Sequence, residues 1–352
     1  MHLTYKFEHD DRLNITIQSD SDVNFVMEKL NMQWRITIPN TGHPNITILE
    51  KTTSLIKYSI TKTNKKYGVF LLDKYVTLMG CSLYMPNVDY KLDLDIKFES
   101  NFPLLISRFG LIVPNRIYQF NRTTLCQSMF VLTNNYVVED YISYAAQTIT
   151  DLDLIPRFRI KKFMDSAYNF FGITDQIQHV ISFINTESNY IPGRGVRGGM
   201  YYSNTTISPF VIYHELFHHF NGRSSIKWFA EGFDEFFCRY LCLGANEFTE
   251  QKKLFYDNYM KNPYKNIPSD VTIPVDANSI TLSYEKGFVL ACFWLGKYGD
   301  KFIVNYKTVI KELYSKWPSR ITSEKSLQVH LEINPDDFDQ YVYDGKTIEL
   351  LE

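Results

Sequence analysis

The residues of this 352-residue chain whose types and spacing can do chemistry are concentrated in Tyr213-His214-Glu215-Leu216-Phe217-His218-His219-Phe220. His214 and His218 are four apart, so on a helix both imidazoles project from one face at a separation that chelates one zinc ion. Glu215 stands beside them, placed to take a proton from water activated by the metal. His219 is expected to point off that face, because adjacent helical residues diverge by about 100°. The pattern needs a helix, and the flanking sequence provides one. Ser208-Pro209 reads as an N-cap followed by proline at the first helical position, Phe210, Val211 and Ile212 begin an apolar run, and Asn221-Gly222 reads as a turn into a second helix.

That second helix reads Lys227-Trp228-Phe229-Ala230-Glu231-Gly232-Phe233-Asp234-Glu235. Its Trp-Phe-Ala-Glu-Gly-Phe run resembles the third-ligand segment of the gluzincin metallopeptidases, the group that includes aminopeptidase N, leukotriene hydrolase and the glycyl aminopeptidases. The resemblance implies Glu231 as the third ligand of one Zn2+ per chain. Two neutral imidazoles and one carboxylate leave the fourth tetrahedral position open for water, as a catalytic rather than a structural zinc requires. Ser283-Tyr284-Glu285-Lys286-Gly287-Phe288 is similar to the Tyr-Glu-Lys-Gly segment of aminopeptidase-N-like enzymes, whose tyrosine hydrogen-bonds the oxyanion of the tetrahedral intermediate. By that resemblance Tyr284 is the transition-state stabiliser. Phe338-Asp339-Gln340-Tyr341-Val342-Tyr343-Asp344-Gly345 loosely resembles the Phe-x-x-Tyr-Val-x-Gly close of the glycyl aminopeptidase catalytic domain, with one extra residue before the glycine. The PDZ module that often accompanies that domain is not expected here.

The chain departs from the family pattern in two places. Only 12 residues separate His218 from Glu231, a shorter connection than in aminopeptidase-N relatives, so Glu235, one turn on, is the fallback ligand. Otherwise Asp234 or Glu235 is expected to orient a ligand histidine. The relatives also carry Gly-x-Met-Glu-Asn on the strand lining the cleft, where the glutamate grips a free amino terminus; the corresponding run here is Gly198-Gly199-Met200-Tyr201-Tyr202, without the glutamate. Gly198, Gly199, Met200, Tyr201 and the neighbouring Arg197 are taken as substrate-binding, with Arg194 and Glu187 as weaker candidates. Aminopeptidase and endopeptidase both stay open. The competing class is a catalytically inactive gluzincin-fold module that binds a peptide or protein.

The elements that must hold these residues divide by hydrophobic period. In residues 91–98 every even position is apolar and every odd one charged, which specifies a half-buried strand, and similar alternation runs through residues 13–17 and 34–38. Turn residues at Asn40-Thr41-Gly42-His43-Pro44 and Met85-Pro86-Asn87 separate such runs. Residues 1–136 are therefore expected to form a β-rich sandwich or saddle. From residue 137 the expectation is a thermolysin-like, mainly helical catalytic domain, giving an α+β chain: Tyr141, Tyr144, Ala145 and Ile149 fit a helical face, and Met200-Tyr201-Tyr202-Ser203 an edge strand. The cleft is expected between the ligand helices and that glycine-rich strand.

Composition narrows the function classes. Aromatic residues make up 16% of the chain and charged residues 22%, which excludes intrinsic disorder. Lys plus Arg (37) nearly balance Asp plus Glu (39), without a basic block, so neither nucleic acid nor a membrane surface is expected as partner; the substrate is a peptide or protein. The five cysteines form no Cys-x-x-Cys pair and read as reduced thiols, with Cys238 and Cys242 in the core. The densest apolar run, residues 288–296, is about half of a membrane span, and the start lacks a signal-peptide core, so a cytoplasmic protein is expected unless it is exported by a non-classical route. Sequons at Asn14, Asn45, Asn121 and Asn204 are then chance products of composition.

Overall fold

The alternation of residues 91–98 becomes the strand Leu94–Ser100 in the computed structural model, with Leu94, Ile96 and Phe98 buried and Asp95 and Lys97 half-exposed. The structure describes the chain apart from residues 32–35, 41–45, 62–68, 185–192, 197, 203–207, 222–225, 268–272, 275, 317–320, 322 and 351–352, and describes 28–31, 36–40, 193–196 and 201–202 by backbone alone. Arg197 and Glu187 thus lie outside the described residues. Packing divides the chain into two compact units, Met1–Arg157 with Gln176–Ile207 and Phe158–Asp175 with Ser208–Glu352.

The first unit is built on sheets. A six-stranded sheet runs in the order Ile117–Phe120, Leu94–Ser100, His2–His9, Leu13–Ser19, Leu55–Ile60, Ile46–Lys51. A parallel pair, His2–His9 beside Leu94–Ser100, joins segments far apart in sequence. A five-stranded antiparallel sheet contains Met129–Thr133 and Tyr75–Met79 at its centre, and a three-stranded sheet sets Phe25–Asn31 between Ile36–Asn40 and Tyr84–Pro86. Their inward side chains form one core, in which the Phe98 ring lies 5.8 Å from Phe120 and 5.9 Å from Phe130. Two short helices, α1 (Arg122–Cys126) and α2 (Ile149–Leu154), belong to this unit.

The last sheet of the unit corrects two sequence expectations, and the three-stranded sheet a third. The order of the last sheet is Tyr136–Glu139, Ile142–Ala146, His179–Phe183, Gly199–Tyr202, Gly193–Val196. Tyr141, Tyr144 and Ala145 are therefore in or beside strands, not on a helix. Ile142–Ala146 pairs in parallel with His179–Phe183 and is buried along its whole length, and a strand covered on both faces shows no alternation to read. Gly199–Tyr202 is an interior strand; the glycine-rich run before it folds back as Gly193–Val196, and that strand is the sheet edge. Met85 and Pro86 are strand residues rather than a turn, with Pro86 opposite Phe25 at the border of the three-stranded sheet, where proline's missing N–H is tolerated.

The second unit is helical. It contains α3 (Arg157–Phe171, from Phe158 on), α4 (Pro209–Asn221), α5 (Phe233–Cys242), α6 (Ala245–Lys261), α7 (Ala277–Tyr298), α8 (Asp300–Ser315), α9 (Glu324–Leu331) and α10 (Pro335–Phe338). A π-helical turn, Trp228–Gly232, leads into α5, and a second one, Asp339–Tyr343, follows α10. Aromatic side chains fill the interior, with Tyr306 stacked on Phe237 at 3.9 Å and Trp294 on Phe338 at 5.8 Å. Cys238 is buried as expected, whereas Cys242, at the end of α5, is exposed. Among the described residues no helix is long and apolar enough to cross a membrane. The chain is α+β, with a β-rich N-terminal part and a mainly helical C-terminal part.

Candidate metal centre

Helix α4 begins at Pro209, and the Ser208 carbonyl accepts from the Val211 and Ile212 amides at 3.0 and 3.4 Å, closing the first turn. Ile212, Leu216, Phe217 and Phe220 are buried and fix the rotation of the helix. The same rotation brings the His214 and His218 rings to 4.8 Å from each other. Glu231 reaches them from the π-helical turn. Its Oε2 lies 3.2 Å from His214 Nε2 and 3.4 Å from His218 Nε2, and one ligand atom from each of the three residues falls within 4.8 Å of the others.

The opposite ring nitrogens are held as well. His214 Nδ1 lies 3.0 Å from Glu235 Oε1, and His218 Nδ1 lies 2.6 Å from Asp234 Oδ2. Carboxylates at both Nδ1 atoms fix the tautomer that turns Nε2 toward a metal. Glu235 thus sits behind His214, away from the point where the ligand atoms converge, so the fallback ligand is not in ligand position. Asp234 is fully buried and accepts a short hydrogen bond from the Asn221 amide, which also donates to the Ala230 carbonyl at 3.2 Å. Arg239 pairs with Glu235 and lies over the Phe210 and Phe255 rings.

Electrostatics follow from this alternation of charge. Burial opposes a charged His214, yet hydrogen bonds to Glu231 and Glu235 outweigh it and hold the pKa well above the histidine range. Burial is likewise overcome at His218, where Asp234 and Glu231 raise the pKa to about 10. Burial alone would favour the acid form of Glu231, but His218 and His214 reverse that and keep it far below the usual carboxylate range. Asp234 is pushed up to about 7 by burial, which the histidines only partly offset. Buried donors arranged in this way, two imidazole nitrogens and a carboxylate oxygen with anionic partners behind, fit a divalent zinc ion better than they fit an apolar core.

Tyr284 projects from α7 beside the cluster, its ring 5.5 Å from that of His214. Burial, then the charges of Glu231 and Glu215 and a hydrogen bond with Glu231, raises its pKa, so the phenol stays protonated and able to donate. Glu215 is half-buried on α4 and near enough to act on that phenol electrostatically. His219 is buried on another face, its Nε2 3.3 Å from the Tyr168 hydroxyl.

The substrate-strand residues belong to the first unit, and the metal cluster to the second. Gly198 forms the hairpin turn at φ +72°, and a Cβ there would meet the Arg108 amide nitrogen and the Gln178 carbonyl oxygen at 2.9 and 3.0 Å. Gly199 and Met200 are buried in the sheet, and Tyr201 is described by its backbone alone. Asn221 and Arg239 escaped sequence reasoning. Asn221 before a glycine reads as a turn, and only the folded chain shows its amide binding Asp234; Arg239 leaves an i, i+4 spacing from Glu235, a weak signal on any exposed helix.

No protein-family model matches the chain, and no curated protein matches it in sequence. Solved structures do. An M1 zinc metallopeptidase from Deinococcus radiodurans aligns with a TM-score of 0.60 and 11% identity over 100% of this chain and 95% of its own. A point variant of the Deinococcus M1 enzyme bound to a Tyr-Ser-Ala substrate aligns with a TM-score of 0.58, at 11% identity over 100% and 95%. Aminopeptidase A from Legionella pneumophila, solved in complex with aspartic acid, aligns at 0.57 with 12% identity over 98% of this chain; the chain spans 49% of that enzyme. The fold is that of M1 zinc metallopeptidases. At these identities the likeness extends to the fold, and the chemistry has to be argued from the residues of this chain.

Proposed function

We propose that the protein is a zinc-dependent peptidase whose metal is held by His214, His218 and Glu231. The observation that carries the reading is the convergence of two Nε2 atoms and one carboxylate oxygen within 4.8 Å, on a fold shared with zinc metallopeptidases. Zinc bound there would supply Lewis acidity and an activated water at neutral pH. Glu215, half-buried on the same helix as the two histidines, would take the proton from the attacking water and return it to the leaving amine. The Tyr284 hydroxyl, kept protonated by its surroundings, donates a hydrogen bond to the developing oxyanion. Asp234 and Glu235 hold the imidazoles in register behind the ligands.

On the substrate side, among the described residues the backbone of Gly193–Val196 pairs with a strand on one side only, and such an edge suits an extended peptide. Gly198 turns the chain between the two strands of that hairpin, and Gly199, Met200 and Tyr201 lie on the strand paired with the edge. The run carries no counterpart of the amine-gripping glutamate, which favours internal or specialised processing cuts over removal of single N-terminal residues. The full chain incubated with matched peptide libraries, free or acetylated at the N-terminus, tests this by mass spectrometry. Cleavage of both libraries, abolished by chelator and restored by zinc, is expected. Cleavage of the free library alone would make the protein an aminopeptidase, and no cleavage of either with zinc bound would remove the enzyme reading.

A further inference from the structure

Helix α7 runs 22 residues with a glycine, Gly287, in its buried middle. Relative to alanine that residue costs about 1 kcal/mol in a helix interior, so a glycine kept there needs a packing reason. The reason is on the facing element. A Cβ on Gly287 would collide with the Trp228 carbonyl oxygen and come within 2.8 Å of Gly232 Cα, and a Cβ on Gly232 would collide with Gly287 Cα and approach the Phe288 nitrogen at 2.7 Å. Two glycines therefore meet backbone to backbone. These are backbone atoms, so no side-chain rearrangement relieves the overlap, and any larger residue drives the two elements apart.

What meets at that point bears on the metal centre. Gly232 directly follows Glu231 and ends the π-helical turn Trp228–Gly232. Gly287 lies three residues after Tyr284 and so shares its face of α7. One close crossing thus aims two side chains from different elements at one place, where the Tyr284 phenol bonds Glu231 and its ring lies 5.5 Å from His214. We propose that the Gly232–Gly287 contact is the positioning device of the metal centre: it sets the π-helical turn so that Glu231 reaches His214 and His218 across a connection of only 12 residues, and it locks Tyr284 to the same spot. This rests on the reading of His214, His218 and Glu231 as metal ligands. The glycines are positioning residues; neither touches the metal or a substrate.

The test titrates the full chain with cobalt(II), whose visible absorption reports ligand geometry. Gly287→Ala and Gly232→Ala are compared with wild type and with Gly244→Ala, a glycine at the start of α6 with open surroundings. Gly244→Ala is expected to match wild type. The two crossing variants are expected to bind cobalt about tenfold or more weakly, with a changed spectrum, while their circular dichroism stays native. Wild-type affinity and spectrum in both crossing variants overturn the inference. If wild type itself takes up no cobalt, the metal-site reading falls and the inference with it, a failure distinguishable from the first. Should both crossing variants fail to fold, hydrogen exchange of the wild-type chain with and without cobalt decides. Added protection in residues 228–232 and 284–288 together supports the coupling, and protection in the first segment alone overturns it.

Discussion

The two compact units bury polar groups on different terms. Among the described residues of the β-rich unit the buried polar side chains are mostly hydroxyls, as where Thr77 donates to Tyr75 at 2.9 Å beside Ser182, and a buried guanidinium, Arg122, binds the Val88 carbonyl at 2.7 Å and lies over the Tyr90 ring. In the helical unit the buried groups include His214, Asp234 and Lys286, with Glu231 and Glu235 mostly covered around them. Burying charge costs several kcal/mol per ion unless it is paired, so the second unit, which concentrates buried charge where the first buries little, has spent stability around the proposed metal centre. A set of substitutions breaks or sharpens this contrast.

The largest effect is expected at Glu215. Glu215→Gln removes the proton acceptor without touching a ligand, so turnover should fall about 10³- to 10⁴-fold with zinc retained. Steady-state kinetics and metal analysis check it, and near-wild-type turnover would contradict the assignment. The opposite behaviour is expected of Phe98→Ala in the β-rich core: about 3 to 5 kcal/mol of stability lost by denaturant unfolding, with zinc affinity unchanged at a temperature where the variant is folded. A large shift in zinc affinity there would mean that the two kinds of burial are not separable.

Asp234→Asn keeps the size of the side chain behind His218 but removes its charge, and zinc affinity is expected to drop about 10- to 100-fold in competition with a chelator. Unchanged affinity would demote Asp234 to a packing residue. The smallest effect is a gain in stability. Burial lowers the Lys286 pKa from 10.5 to about 8, against a partial opposing pull from Glu324. Between about pH 8 and 10.5 the folded state then binds fewer protons than the unfolded chain, so the penalty is full below pH 8 and fades as the pH rises toward 10.5. Lys286→Met should gain about 2 kcal/mol at pH 7, after allowance for its hydrogen bond to the Val342 carbonyl, and much less at pH 10. An equal change at both pH values, by urea unfolding, would contradict this.

The contrast also explains how much was legible in the chain. His214, Glu215 and His218 were readable because their spacing alone puts them on one helical turn, and Leu94, Ile96 and Phe98 because a half-exposed strand writes its period directly. Glu231 and Tyr284 were reached through motifs, and the structure brings both to the histidines. What spacing does not encode is pairing between elements. The assignment of Glu235 to His214 and Asp234 to His218, the Asn221 amide beneath Asp234 and the Gly232–Gly287 crossing all depend on how helices cross, and the fully buried strand Ile142–Ala146 carries no alternation from which to read it. Gly287 stood in plain view inside its motif, yet its role was visible only against the Trp228 carbonyl.

The most direct test of the central claim is the zinc content and zinc affinity of the wild-type chain measured beside Glu231→Ala. One zinc per chain in wild type, lost or weakened by orders of magnitude in the variant, is the predicted result. Equal zinc binding by both proteins, or none by the wild type, would contradict the assignment of His214, His218 and Glu231 as the metal centre.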